Sequence, residues 1–234
     1  DPAMNWRLSA LDNLTILSNS DAHSLPKMGR EATVLEIDKN LDTLSYMDIG
    51  KAIARPNENY RISYTIEFYP EEGKYHMDGH RDCDVCLDPE ESKRNGNKCP
   101  RCKKMLTLGV LHRVAELADR TQDAIPTSGN AVVPHKSIVP LADLIASVIH
   151  VGSASKKVKT LYDTLINGLG NEFHVLLDSS HEDIERVGGV AIAEGVKRMR
   201  EGALYISPGY DGVFGTVQVL APNETLGPKQ DILV

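Results

Sequence analysis

The chain has 234 residues, 41% of them hydrophobic and 25% charged, which is enough to bury a core and more than one average domain needs. Its formal net charge of −7 excludes an indiscriminate polycation, while leaving room for a local basic patch. No apolar run approaches the ~20 residues that span a bilayer, and Asp1-Pro2-Ala3-Met4 has no basic stretch followed by an apolar one, so neither a membrane partner nor a secretory leader is expected. The sequence does not open on methionine and reads as a fragment or a processed product of a cytoplasmic protein.

Taken in chain order, the apolar run 14–17 predicts a buried strand ending at Ser18-Asn19-Ser20-Asp21-Ala22-His23. A second strand is expected over 32–37. Ser45 is placed to cap a helix over 46–54 that stops before Pro56, because the residue before proline disfavours helix. Residues 61–68 alternate as a strand, with Ile62, Tyr64, Ile66 and Phe68 on one face. After the cysteine-rich segment, 111–118 predicts a short helix. Residues 121–135 carry Pro126, Gly129 and Pro134 and predict a loop. Helical periodicity then covers 141–149 and 156–167, followed by a short apolar segment at 173–177. Two short helices, 181–187 and 191–200, are joined by Gly188-Gly189. Strands at 203–206 and 213–219 flank Pro208-Gly209-Tyr210-Asp211-Gly212, and a polar tail starts at Pro222. These elements make an α+β chain.

All four cysteines fall between positions 83 and 102, as Cys83-x2-Cys86 and Cys99-x2-Cys102. Each C-x-x-C can turn two thiolates toward one centre, and two such knuckles supply the four soft ligands of a closed tetrahedral zinc site. Four ligands leave no open position, which makes the ion structural. The intervening loop, 87–98, is polar and too small to fold without a metal. A redox pair is the alternative, but it would need one motif at a strand-to-helix junction. The clustering suits a reducing compartment rather than a disulfide-stapled secreted protein.

Asp21 and His23 stand two apart at the end of the first predicted strand. Alternate residues of an extended segment point the same way, so a carboxylate and an imidazole can converge on one metal ion. Alone, D-x-H is a weak signal that fits a hydrogen-bonded loop better than a metal site. Asn19 lies two residues earlier; its amide, a donor and an acceptor, can face the same site, or cap the strand end. His76 and His80, beside Lys74, either contact DNA or pack on the zinc segment. Val151 to Lys157 places a glycine and lysines at a helix start, and the helix–Gly188-Gly189–helix unit resembles a helix-hairpin-helix, whose helix N-terminal N–H groups bind phosphate. Lys156, Lys157 and Lys159 would extend that footprint, or be plainly solvated.

The strings at 18–23 and 29–32 (Gly29-Arg30-Glu31-Ala32) resemble the closing motif of the PHP superfamily of metal-dependent phosphoesterases. Further strings, at 65–76, 78–81, 109–113, 116–119 and 208–212, resemble one branch, the endonuclease Q family, over about residues 1–217. The resemblance implies a nuclease that nicks DNA 5′ to uracil, hypoxanthine, xanthine or abasic sites. It implies Asp21 and His23 as ligands of divalent metals, zinc with magnesium or manganese in support. PHP sites open on a His-x-His pair, which this sequence lacks. The chain is therefore expected to be the C-terminal portion: the end of a PHP-type α/β barrel (1–62), a zinc ribbon-like domain (63–139), a helix-hairpin-helix-like DNA-binding region with a short closing β-hairpin (140–217) and a tail (218–234). Two other readings stay open: a non-catalytic DNA-binding module and a small-molecule phosphoesterase.

Overall fold

The computed structural model describes residues 1–54, 56–124 and 132–226. Residues 125–131 of the expected 121–135 loop and the end of the tail lie outside them. The chain forms two compact units, residues 1–137 with 208–214, and residues 138–207 with 215–234.

The first unit opens on a short helix, α1 (Pro2–Asn5), capped by the Asp1 carboxylate. Its sheet pairs β1 (Ala32–Ile37) antiparallel with β2 (Tyr60–Glu67), with a bulge between Val34 and Leu35. The parallel strand β5 (His135–Ser137) lies on the other edge of β2. Helix α2 (Tyr46–Ala54) packs on β1 and β2. The cysteine-rich segment holds the hairpin β3 (Asp78–His80) and β4 (Val85–Leu87), then α3 (Pro89–Arg94). Helix α4 (Val110–Leu117) follows.

Three expectations need correcting. Residues 14–17 form no strand: Leu14 and Leu17 are exposed, and the following Ser18 gives its N–H to, and takes the hydroxyl hydrogen of, the Thr33 side chain, each at 2.9 Å, instead of joining a ladder. The expected barrel end is, among the described residues, a three-stranded sheet of order β1-β2-β5. His135, expected in a loop, opens β5, where it partners Thr65.

At the start of α2 the Asp48 carboxylate, almost fully buried, accepts from Lys39 Nζ at 2.8 Å and from the Ser45 N–H and hydroxyl. The Lys39 ammonium, then Ser45, hold the Asp48 carboxyl well below the usual carboxylate range. A depressed folded pKa means this stabilisation is present above the unfolded value of ~3.9 and is lost as pH falls through the folded one. Asp48→Asn is thus expected to lower the melting temperature at pH 7, with the gap to the parent narrowing below about pH 4. Thermal melts at pH 7 and pH 3 check this, and a gap independent of pH would refute it.

Segment 208–214 belongs to the first unit although it follows the helices of the second. The Met77 N–H bonds the Gly209 carbonyl, and the Gly209 and Gly212 N–H groups bond the Glu71 and Lys74 carbonyls, at 2.8–2.9 Å. Asp211 accepts from the Arg81 N–H and the Thr107 hydroxyl, and the Tyr210 hydroxyl donates to Asp84 at 2.8 Å. Gly79 permits this docking, since a Cβ there would lie 2.3 Å from the Tyr210 ring.

The second unit is helical: α5 (Leu141–Ile149), α6 (Lys156–Leu169), a π-helical turn at His174–Asp178, α7 (His181–Gly188) and α8 (Val190–Arg200). The hairpin of β6 (Tyr205–Ser207) and β7 (Thr216–Gln218) closes it. Leu141, Leu144, Ile145, Leu165, Leu176 and Ile184 are essentially fully buried at its centre. Ser155 and Ser180 cap α6 and α7 through their hydroxyls. No helix of the described residues is long and apolar enough to cross a membrane.

Candidate metal centre and strand-end site

Four side chains converge between the β3–β4 hairpin and the following turn. The ligand atoms of His80, Cys83, Cys99 and Cys102 all lie within 4.8 Å of one another. They suit one tetrahedral ion, for which Zn–S near ~2.3 Å and Zn–N near ~2.0 Å are usual. His80 Nδ1 and Cys102 Sγ are 3.7 Å apart. The second knuckle is a tight turn: the Cys99 N–H bonds the Lys104 carbonyl at 2.8 Å and the Lys103 N–H returns to the Cys99 carbonyl at 2.9 Å. Burial opposes ionisation of Cys99, but the N–H groups of Cys102 and Arg101 aim at its sulfur and hold its pKa below the ordinary thiol value. Cys83, against Cys102 and Cys99, is pushed up to about 11. A metal cation would reverse that penalty, since it binds the thiolate. Cys99 also packs with Val85, Leu87 and Leu106 in a small apolar core.

Cys86, read from the sequence as the fourth ligand, lies outside this group. It is the middle residue of β4, between buried Val85 and Leu87, so the strand alternation turns its thiol to the opposite face. Asp84, left-handed at φ +50°, reverses the chain between Cys83 and the strand. His80 takes the fourth place. Its signal was in the sequence as His80-x2-Cys83, the same spacing as a knuckle.

Asp21 and His23 lie in an exposed segment beside a cavity of about 270 Å³ that Arg30, Glu31, Phe68 and Glu72 also line. Asp21 adopts φ +43°, a left-handed conformation that Asp tolerates better than most residues and that clusters at functional sites. Among the described residues, neither belongs to a group of three or more potential metal ligands. Asn19 is exposed and lines an adjoining cavity of about 290 Å³ with Ser18, Glu31 and Glu67. Burial, then the nearby Glu67 charge, raises the Glu31 pKa.

The other expected contacts separate. His76 is buried, which lowers its pKa, so it does not present its ring to a ligand on the surface. Lys74 is exposed, with its ammonium 5.5 Å from the Tyr75 ring and 5.6 Å from the Phe214 ring. His112, read as structural, shares a 2.6 Å hydrogen bond with buried Asp78, which also takes the Gly109 N–H. Lys156, Lys157 and Lys159 are exposed on the first turn of α6, and Lys159 pairs with Asp163 at 3.0 Å. Gly188 serves packing, since a Cβ would lie 2.8 Å from Leu165 Cδ2. Gly189, at φ +87° with open space around its Cα, starts α8 without a side-chain cap.

A family profile described as the MJ0043 C-terminal domain matches residues 140–203. The uncharacterized protein MJ0043 of Methanocaldococcus jannaschii is 31% identical over 93% of this chain, which spans 27% of that protein. The uncharacterized protein YqxK of Bacillus subtilis is 28% identical over 93% of the chain, which spans 50% of it. Among solved structures, the lesion-specific endonuclease PfuEndoQ from Pyrococcus furiosus superposes with a TM-score of 0.81 at 30% identity, over 93% of this chain and 52% of that one. An endonuclease Q complex with a 27-mer duplex substrate, carrying an abasic lesion at the active site, gives 0.78 at 30% identity, over 100% of this chain and 56% of that one. The chain thus spans at most about half the length of these relatives. Over that span its resemblance to endonuclease Q, first read from the sequence strings, is one of fold as well.

Proposed function

We propose that this chain is the C-terminal part of a metal-dependent endonuclease that nicks DNA 5′ to deaminated bases or abasic sites. The observation that carries the reading is the near-complete superposition on endonuclease Q, one example of which holds a duplex with an abasic lesion. Asp21 and His23 supply a carboxylate and an imidazole to a divalent-metal site whose remaining ligands come from elsewhere in the full-length protein. Metals bound there would activate water and neutralise charge on the phosphate. Asn19, two residues away, presents an amide beside that site. The His80/Cys83/Cys99/Cys102 cluster holds a structural zinc. Its closed ligand set leaves no position for a reacting group.

The second unit binds the DNA backbone. At the start of α8 the N–H groups of Val190, Ala191 and Ile192 have no intrahelical acceptor, and α6 opens with exposed Lys156 and Lys157. Phosphate contact of this kind is independent of sequence and steep in salt. Lys156→Glu with Lys157→Glu should weaken binding and reduce the slope of log affinity against log salt by about 1.8, at ~0.9 per lost contact on duplex DNA. Fluorescence anisotropy of a labelled duplex at several salt concentrations measures both, and an unchanged slope would remove this face from the footprint. The reading as a whole stands on lesion-dependent nicking by the full-length protein. A non-catalytic DNA-binding module remains the second reading, favoured by the lack of a complete catalytic ligand set among the described residues.

A further inference from the structure

The end of the 208–214 segment presents aromatic rings to solvent. Phe214 is 72% exposed and Tyr75 47%, and a clustered exposed apolar patch usually marks a surface that binds something. The Lys74 ammonium stands over both rings, 5.5 Å from the centre of Tyr75 and 5.6 Å from that of Phe214, within the range of a cation–π contact. The exposed Arg81 guanidinium adjoins them: a Cβ built on Gly212 would lie 3.3 Å from its Nη1 and 3.8 Å from the Tyr75 hydroxyl. Two rings and two cations thus share one patch of the first unit.

The backbone under the patch is held in place. Asp211 and Gly212, both at positive φ, make a two-residue turn of the kind Asp-Gly favours. It is closed by the Val213 N–H on the Tyr210 carbonyl at 2.8 Å and the Tyr210 N–H on the Val213 carbonyl at 3.0 Å. The Gly212 N–H bonds the Lys74 carbonyl and the Val110 N–H bonds the Tyr75 carbonyl, each at 2.8 Å. Rings on a fixed backbone lose little freedom when a ligand covers them. The Asp84 and Asp211 carboxylates have partners of their own in Tyr210, the Arg81 N–H and Thr107. An apolar protein surface laid on this patch would strip water from Lys74 and Arg81 without pairing them. A nucleotide matches both halves, with a π face for the rings and a phosphate for the cations. Within a paired duplex the base faces are already covered by their stacked neighbours, so the ligand that fits is an unpaired base.

Resting on the proposed action on DNA, we infer that Phe214 and Tyr75 form a stacking platform for an unpaired nucleobase of any sequence, with Lys74 and Arg81 holding its phosphates. Stacking of this kind is indifferent to base identity, since every base has a π face. In the full-length protein, Phe214→Ala should lower the ratio of affinities for single-stranded oligothymidine and for a lesion-free paired duplex of equal length by roughly tenfold. Phe214→Trp, which keeps a ring, should hold the parent's ratio. The same variant gives a readout that a purely structural role would not move: oligothymidine should quench the indole emission that Phe214→Trp adds over the parent. An unchanged ratio in Phe214→Ala, or an added emission that oligothymidine leaves untouched, would overturn the inference. So would equal losses on both DNAs with a lowered melting temperature, which would make Phe214 a packing residue covered by another part of the protein. Nicking of an abasic duplex by the unaltered protein is scored in parallel. If it nicks while the ratio stays unmoved, the stacking platform alone fails; if it neither nicks nor binds DNA, the endonuclease reading fails as well.

Discussion

Cys99→Ser should strip the metal from the first unit and unfold the segment from His80 to Leu106. Three neighbouring observations set the size of the effect. The Cys99 sulfur has two N–H groups aimed at it, which favour its thiolate. It is fully buried and is itself part of the Val85–Leu87–Leu106 core. The rest of the segment consists of a three-residue-per-strand hairpin and a six-residue helix, too little apolar surface to hold itself together. Structural zinc contributes roughly 10–16 kcal/mol of apparent binding energy in small metal-nucleated folds, and most of that disappears with a ligand. Elemental analysis of the parent should give about one zinc per chain. Cys83→Ser, Cys102→Ser and His80→Ala should lose it, with a fall in melting temperature. Cys86→Ser should keep it, because its thiol is on the other face of β4. Zinc lost by Cys86→Ser and kept by His80→Ala would restore the four-cysteine arrangement read from spacing and remove His80 from the site. Since each thiol must give up its proton, zinc should also be released on acidification.

Asp21→Ala in the full-length protein should abolish nicking of uracil-containing DNA while leaving most duplex binding in place, and residues 1–234 alone should not nick at all. Both expectations come from counting ligands. A catalytic metal generally needs three protein ligands and an open position. Asp21 and His23 would supply two, and the described residues bring no further acid, histidine or cysteine to them in a metal-sized group. Removing the carboxylate should cost roughly a thousandfold or more in rate, several kcal/mol at ~1.4 kcal/mol per tenfold. Binding should survive because the phosphate contacts proposed for Lys156, Lys157 and the start of α8 would act independently of any metal. Gel assays of nicking beside anisotropy measurements of binding separate the two. Lesion-dependent nicking by the 234-residue chain, free of contaminating nuclease, would show that its own side chains assemble a complete site.

The helices were the most legible part of the sequence. α2, α4, α5, α6, α7 and α8 each lie within two residues of the spans that periodicity and capping predicted, because their apolar stripes and caps are local signals. The failures were non-local. Residues 14–17 are apolar enough for a strand, but a strand needs a partner edge, and here Thr33 supplies only a side chain. β5 is three residues long and pairs with β2 from about 70 positions away, which no local window can see. The candidate metal cluster was half legible. Cysteine spacing located it, yet a C-x-x-C cannot tell a knuckle from a turn that runs into a strand, and the left-handed Asp84 decides that case.

The return of residues 208–214 to the first unit has a consequence for how the chain is made. Synthesis is vectorial, and domains that are continuous in sequence can complete their structure as they leave the ribosome. This one cannot. The Met77 and Thr107 contacts wait for Gly209 and Asp211, which are added only after every helix of the second unit has been translated. The first unit must therefore hold its cysteine-rich segment part-finished while about 70 further residues emerge. A ribosome stalled near residue 205 would carry a first unit with Gly79 and its neighbours uncovered, and these should be more open to proteases than in the released chain.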